Sequence, residues 1–473
     1  MKMDHGEARK ENLHYLLNPR NIAIIGASRN PRKLGFHALK AVVTGGFRGK
    51  IYPVNPELNG EALLGYKAYK DIESIPEAVD LFVFAIPATG VIGALKEAIK
   101  KKARGAVIFA GGFKEVGSEG RSLEIELRNI ADAADVNIIG PNCIGMVNFH
   151  KSVNATFAWT LSDLPRGNIS VISQSGGTGM AIIYQMANLG LGLGKFISVG
   201  NRVNLEFADL FEYFAEDEET DLILLFIEGI EEGRQFFERA RMASKKKPIL
   251  AYNAGFSRTA ANAALSHTGS AASSKEIYRA AFLQSGMLLV DSIEELVDTA
   301  KALSVIPSLE GGVVILTHSA GPSIVIADLC EEAGVSLPTF TPETQEKLLE
   351  FLPQYSKPTN PLDMFAQAWV NTDLYLKALD VIFQQEDISL AVPIYCSSMG
   401  AGLKFPAQKA VQVSKKHGKH ILLCMVAPDT EKEEQQEYER GGIPTFTSLY
   451  RIGRVIANLK RYHYIKNHRI PPC

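Results

Sequence analysis

Short apolar runs rich in β-branched residues recur along the chain, separated by longer stretches whose apolar positions fall three or four apart. Over the first 150 residues the runs are Asn21–Ile25 (NIAII), Ile51–Val54 (IYPV), Asp80–Ile86 (DLFVFAI), Ala106–Phe109 (AVIF) and Val136–Ile139 (VNII). Helical spacing lies between them, as at Phe36–Val43 and Ser118–Ala134. Continuous apolar strands spaced by helices predict a parallel sheet covered on both faces. The pattern repeats with strands at Asn168–Ile172, Lys195–Val199, Leu222–Ile227, Pro248–Tyr252 and Met287–Val290. Helices are expected there at Gly177–Leu189, Leu205–Ala215, Gly233–Ala243, Ser273–Gln284 and Ile293–Ser304. A third round has strands at Gly312–Leu316, Leu390–Ile394 and His420–Met425, and helices at Pro322–Ala333, Pro342–Phe351, Thr372–Gln384, Pro406–Lys416 and Leu449–Lys460. The expectation is an α/β protein of three consecutive doubly wound domains, 1–150, 151–308 and 309–473, ending in a loose tail, HRIPPC.

In open parallel sheets a ligand sits beyond the carboxyl ends of the strands. In the first domain those ends read Gly26-Ala27-Ser28-Arg29, Asn55-Pro56, Pro87-Ala88-Thr89, Ala110-Gly111-Gly112-Phe113 and Gly140-Pro141-Asn142-Cys143. All are small, polar or turn-forming, which leaves room for a ligand. The first loop, GASRNPRKLG, feeds a helix N-terminus and adds Ser28, Arg29 and Lys33, a setting suited to a phosphate. It lacks GxGxxG spacing, and Val54-Asn55-Pro56-Glu57 supplies no acid at the second strand's end for a ribose hydroxyl. The expectation is a phosphate-bearing cofactor other than NAD.

The second domain opens with Ser173-Gln174-Ser175-Gly176-Gly177, a glycine-rich strand-to-helix turn whose amides suit a phosphoryl group, though such a turn is also an ordinary helix cap. Glu228 closes the strand LILLFIE, where a carboxylate can orient an imidazole. After the strand KPILAY comes a loop rich in small and hydroxyl residues, ending in SHTGS with His267 flanked by Ser266, Thr268 and Gly269. Imidazole titrates near neutrality and can serve as a nucleophile. His318, at a later strand end, has no adjacent carboxylate or serine to complete a nucleophilic set and reads as structural.

Composition removes other classes. The 50 Lys+Arg and 52 Asp+Glu nearly cancel, so no nucleic-acid surface is indicated. The five cysteines are scattered without CxxC or metal-ligand spacing, as in a reducing cytoplasm, and no metal site is expected. MKMDHGEARKEN lacks the apolar core of a signal peptide, and no apolar run reaches membrane-spanning length.

From about Asn18 to Tyr464 the chain resembles the α subunit of NDP-forming acyl-CoA synthetases, the ADP-forming acetate–CoA ligases, with succinyl-CoA synthetase α subunits more distant. The resemblance rests on IAIIGASRNPRKLGF, GKIYPVNPE, DLFVFAIPA, GGFKEVG, IGPNCIGMVN, ISVISQSGG, ISVGNRVNLEFADLFEYFAED, FIEGIEEGRQF, SHTGS and NPLD, in that order. It implies a Rossmann-like CoA-binding domain followed by two flavodoxin-like domains. It implies that His267 carries a phosphoryl group, that Glu228 stabilises it, and that residues 173–177 with Ser266, Thr268 and Gly269 hold the phosphate. The implied CoA site takes in Gly26, Ala27, Ser28, Arg29, Lys33, Gly35, Val54, Asn55, Pro56, Ile86, Pro87, Ala88, Gly111, Asn142 and Cys143. ADP or ATP with Mg²⁺ is implied on a separate ATP-grasp β subunit, in an α2β2 assembly. The chain departs from the family pattern at Asn253 (commonly lysine), at Asn204 (commonly aspartate) and at Thr317–Gly321, THSAG for TNxGG. The competing expectations are a non-catalytic CoA- or acyl-CoA-binding protein that retains the fold and, less favoured, an NAD-dependent oxidoreductase.

Overall fold

The computed structural model describes residues 5–255, 275–397, 404–428 and 431–467. The chain forms two compact units, Met1–Asp291 and Ser292–Cys473.

The first unit begins with α1 (His5–Leu17), β1 (Asn21–Ile25), α2 (Leu34–Thr44) and β2 (Lys50–Val54). A hairpin of β3 (Ala62–Leu63) and β4 (Tyr66–Lys67) follows, then β5 (Leu81–Phe84), α3 (Ala88–Lys100), β6 (Gly105–Ile108), α4 (Ser118–Ala133) and β7 (Asn137–Ile139). Five parallel strands form a sheet in the order β2-β1-β5-β6-β7. Winding reverses between β1 and β5, which opens a crevice at their carboxyl ends. The two-residue period of a strand splits the side chains between two cores. Ile22, Ile24, Leu81 and Val83 enter one, and Ala23, Ile25, Phe82 and Phe84 the other.

A second sheet follows in the same unit. Its elements are β8 (Gly145–Asn148), β9 (Val153–Thr156), β10 (Arg166–Ser173), α5 (Gly176–Asn188), β11 (Leu193–Ser198), α6 (Phe207–Glu216), β12 (Leu222–Ile227), α7 (Gly233–Ala243), β13 (Ile249–Asn253), α8 (Lys275–Gln284) and β14 (Leu288–Val290). The order is β14-β13-β12-β10-β11-β8-β9, parallel as far as β11 and antiparallel across β8 and β9. The division expected at residue 150 thus falls between two strands of one sheet. One apolar core runs from Leu13 and Ile22 through Ile172 and Ile223 to Phe282, so the two sheets are packed as one body.

The second unit has one main sheet. It contains α9 (Ile293–Leu303), β15 (Gly312–Thr317), α10 (Ala320–Glu332), α11 (Pro342–Leu349), β16 (Leu362–Asp363), α12 (Phe365–Val370), α13 (Asp373–Ile382), β17 (Ile388–Cys396) and α14 (Ala407–His417). It closes with β18 (His420–Ile421), β19 (Leu423–Val426), α15 (Lys432–Arg440), β20 (Thr445–Phe446) and α16 (Leu449–Asn467). The strands run parallel in the order β16-β15-β17-β19-β20, with β18 also on β17. Helix α9, which its position before residue 308 assigned to the second domain, belongs here. Its Asp298 takes both arms of Arg451 at 2.6 Å, and its Lys301 bonds Glu439 at 2.7 Å and the Thr445 carbonyl at 2.6 Å. Among the described residues no helix is long and apolar enough to cross a membrane.

Candidate active site

The first loop is built by close backbone packing. A Cβ on Gly35 would lie 1.8 Å from the Gly26 carbonyl oxygen, so the start of α2 presses directly on the end of β1. Gly26 itself has φ +86, a region glycine enters freely. The amides of Gly26 and Ala27 donate to the carbonyl of buried Val54, and Asn55 Nδ2 donates to the Ala27 carbonyl at 2.7 Å. Ser28 is buried, its Oγ accepting from Asn30 N at 3.1 Å. Arg29 and Lys33 project from this frame as exposed cations, Arg29 in an ion pair with Glu61. Around the adjoining strand ends, Ile86 and Ala88 are half-buried and Pro56, Pro87 and Gly111 exposed. Asn142 is half-buried at φ +58. Cys143 faces inward. Its thiol is buried and donates to Ile108 O at 3.3 Å, and burial pushes its pKa up to about 12. Its side chain is committed to the core.

At the head of the second sheet, Ser173 is fully buried and its Oγ donates to Ser175 O at 2.5 Å. Ser175 caps α5, accepting from Thr178 N at 3.3 Å. A Cβ on Gly176 would meet Ile144 at 2.6 Å, whereas one on Gly177 would meet nothing within 4 Å. The helix start is therefore packed on one side and open on the other. Gln174 reaches across to the next strand, its Oε1 accepting from Glu228 N at 2.9 Å and Gly229 N at 3.1 Å. One amide side chain thus fixes the main chain of half-buried Glu228 at the carboxyl end of β12. The neighbouring strand β13 leads into the SHTGS loop. His267, Ser266, Thr268 and Gly269 lie outside the described residues.

Between the two sheets lies a charged cluster to which the sequence reading gave no role. Glu115 Oε1 accepts from Gly112 N at 2.6 Å and Phe113 N at 3.2 Å, and its Oε2 from Asn201 Nδ2 at 2.7 Å. Burial works to raise its pKa, but these hydrogen bonds outweigh it and hold the carboxyl below its usual range. Asn201 Nδ2 also donates to Glu124 at 2.8 Å, and Lys114 Nζ to Asn201 O at 2.8 Å and Glu231 at 2.9 Å. Arg202, 3 % exposed, lies 3.1 Å from Glu206 and 3.3 Å from Glu231. The available signal was a set of opposite charges at three strand ends, GGFKEVG, GNRVNLE and IEGIEE.

The departures from the family pattern have structural accounts. Asn204 Oδ1 accepts from Ile138 N at 3.0 Å, while its Nδ2 donates to Val136 O and Asp132 Oδ1, both at 2.9 Å. It stitches β7 to the second sheet, a task that needs a donor and an acceptor on one side chain. Asn253 ends β13, its Nδ2 donating to Ile227 O at 2.9 Å. His318 is half-buried, and its Nε2 accepts from Cys396 N at 3.1 Å. That bond requires the neutral ring with its proton on Nδ1.

Comparison with known proteins agrees with this layout. Residues 20–148 match the CoA binding domain model, and residues 166–303 the succinyl-CoA ligase like flavodoxin domain model. The chain is 39% identical to the acetate–CoA ligase [ADP-forming] II subunit alpha of Pyrococcus furiosus, over 92% of this chain and 94% of that one. It is 37% identical to acetate–CoA ligase [ADP-forming] I of Archaeoglobus fulgidus, over 95% of this chain but 64% of that longer protein. A solved structure, the dinucleotide forming acetyl-coenzyme A synthetase 1 of Ca. Korarchaeum cryptofilum in complex with phosphate and ADP, superposes with a TM-score of 0.89 at 31% identity, covering 97% of this chain and 98% of that one. The chain belongs to the family of ADP-forming acyl-CoA ligases, with the layout of an α subunit.

Proposed function

We propose that this chain is the catalytic α subunit of an ADP-forming acyl-CoA synthetase, converting acyl-CoA, ADP and phosphate reversibly into a carboxylic acid, ATP and CoA. In this reading the first sheet's strand ends bind CoA, the second sheet of the same unit leads into the phosphorylated loop, and the second unit completes the ligase. The observation that carries it is the bracing of Glu228 by Gln174 beside the open start of α5, on the strand next to the one that leads into the SHTGS loop.

A phosphate oxygen attacks the thioester carbonyl, the C–S bond breaks, and CoA leaves with an acyl phosphate behind. His267 then attacks phosphorus and the P–O bond to the acyl group breaks, releasing the carboxylate; one difficult transfer becomes two easier ones. The open start of α5 and Glu228 favour the phosphoryl oxygens and the imidazolium respectively. The phosphoryl group passes finally from His267 to ADP. ADP or ATP with Mg²⁺ belongs on an ATP-grasp β subunit, the pair assembling as α2β2 in the cytoplasm. The longer Archaeoglobus relative, of which this chain spans 64%, supports a second part of that kind.

The test is reconstitution. With an ATP-grasp partner the chain should make ATP from acyl-CoA, ADP and phosphate, and alone it should bind CoA but not ADP. Micromolar ADP binding by the isolated chain, with no response to CoA, would refute the assignment.

A further inference from the structure

The turn that carries Glu228 is gripped from two sides. Gln174 holds the amides of Glu228 and Gly229 from the β10 side. From the β11 side Arg202 Nη1 donates to the Gly229 carbonyl at 3.0 Å, and Nη2 lies 3.3 Å from Glu231. The remaining nitrogen, Nε, lies 3.1 Å from Glu206, and the guanidinium stands 5.0 Å from the Phe207 ring centre. Nε makes no hydrogen bond there, so this corner of the buried cation is held by charge alone, a costly arrangement to retain. Arg202 also sits at φ +56, a region disfavoured for any residue bearing a side chain and kept only where the surroundings impose it.

Those surroundings belong to the other sheet. The preceding residue, Asn201, is held by Lys114, Glu115 and Glu124 through its carbonyl and its amide nitrogen. Lys114 reaches past it to Glu231, which also faces Arg202. Lys114 and Glu115 belong to the loop after β6, one of the strand ends on the CoA side. A continuous set of charges therefore runs from that loop, through Arg202, to the peptide next to Glu228.

We propose that Arg202 is a positioning residue for the phosphoryl-transfer step. It fixes the Glu228–Glu231 turn and ties it, through Glu231 and Lys114, to the loop after β6. The inference rests on the reading of Glu228 as the carboxylate of that step.

Arg202→Lys keeps a cation but loses the planar fork, so it cannot hold Gly229, Glu206 and Glu231 together. Arg202→Lys, Glu231→Gln, Glu228→Gln and each double variant with Glu228→Gln are purified with the partner subunit. Acid-labile labelling by radioactive acetyl phosphate is followed in a single turnover, with CoA affinity and melting temperature measured in parallel. Arg202→Lys should slow labelling about 10- to 100-fold, and Glu231→Gln about 3- to 10-fold, with CoA affinity within about twofold of wild type. In the Glu228→Gln background neither should slow it further, because all act through one carboxylate. A merely structural arginine would lower the melting point without that non-additivity. If Arg202→Lys melts below the assay temperature, Glu231→Gln, at a half-exposed carboxylate, decides alone. Wild-type labelling, or losses that multiply in the double variants, overturns the inference while a slow Glu228→Gln enzyme leaves the site reading standing. Wild-type labelling by Glu228→Gln overturns both.

Discussion

Asn204 stands where the family resemblance leads one to expect aspartate, yet here the amide is the side chain that fits. Restoring the family residue with Asn204→Asp would set a carboxylate against the Val136 carbonyl and the Asp132 carboxylate. The variant should lose about 1–3 kcal/mol in a urea melt, the usual cost of an unsatisfied buried group. An unchanged midpoint would contradict the assigned bonds. Arg29 and Lys33 make the opposite case, being exposed, with Arg29 in an ion pair with Glu61. Arg29→Ala or Lys33→Ala should weaken CoA binding by about 1–3 kcal/mol, the scale of charge-assisted contacts, and leave folding untouched. Equal CoA affinity in both variants would make the loop an ordinary turn. His318 gives a pH signature. Burial holds its pKa below the ordinary histidine value, so the folded form favours the neutral ring. Its contribution to stability is complete above about pH 6.5 and is lost as pH falls below that value. His420 is pushed the same way by burial. His318→Gln should therefore flatten part, not all, of the decline in melting temperature between about pH 7 and 5. An identical slope would show that the bond to Cys396 is not made. At this scale the sequence marked stretches, as at Glu228 and residues 173–177, that the fold places on neighbouring strand ends. It was silent where one residue's contacts come from three separate loops, as at Arg202, and it could not show that the Cys143 thiol turns into the core, because small-residue strand ends look alike whichever way a side chain turns.

Elements were legible to the degree that their apolar pattern was long. The strands of the parallel sheets, such as Leu222–Ile227, carry unbroken apolar runs because helices cover both faces, and those runs survive in the sequence. Strands β8 and β9 carry buried Asn148 and Asn154, a residue type that marks loops more often than strands, and they escaped notice. Asn148 is buried because its Nδ2 donates to the Leu17 carbonyl at 3.0 Å, a partner over a hundred positions away. Helix α1 escaped likewise, since only Leu13, Leu16 and Leu17 of a charged stretch enter the core. The packing of α2 on β1 gives the sharpest test of an element. Gly35→Ala places a methyl where only 1.8 Å separates it from the Gly26 oxygen, so the helix must move. It should destabilise the chain by about 1–3 kcal/mol as overpacking does, and also weaken CoA binding, because the displaced helix start frames the first loop. Lost CoA affinity without any loss of stability would contradict the packing account.

For the whole molecule the repeating βα rhythm conveyed the fold class, but not how the rounds of it are grouped. Two sheets share one core because β8 and β9 follow directly on the first sheet and then pair with β11, a connection that periodicity cannot display. The consequence is functional. The loops proposed to hold CoA and the turn that carries Glu228 belong to one compact unit, joined by Lys114, Asn201 and Arg202. In the proposed reaction, what must travel to the nucleotide is then the phosphoryl group on His267. Mixed with its partner subunit, ATP and Mg²⁺, the chain should take up phosphate in an acid-labile, base-stable form. His267→Asn should abolish that label and acyl-CoA synthesis while leaving CoA binding intact, because asparagine has no nucleophilic nitrogen. Acid-stable phosphate on Ser266, Thr268 or Ser270, or label and turnover that persist in His267→Asn, would contradict it.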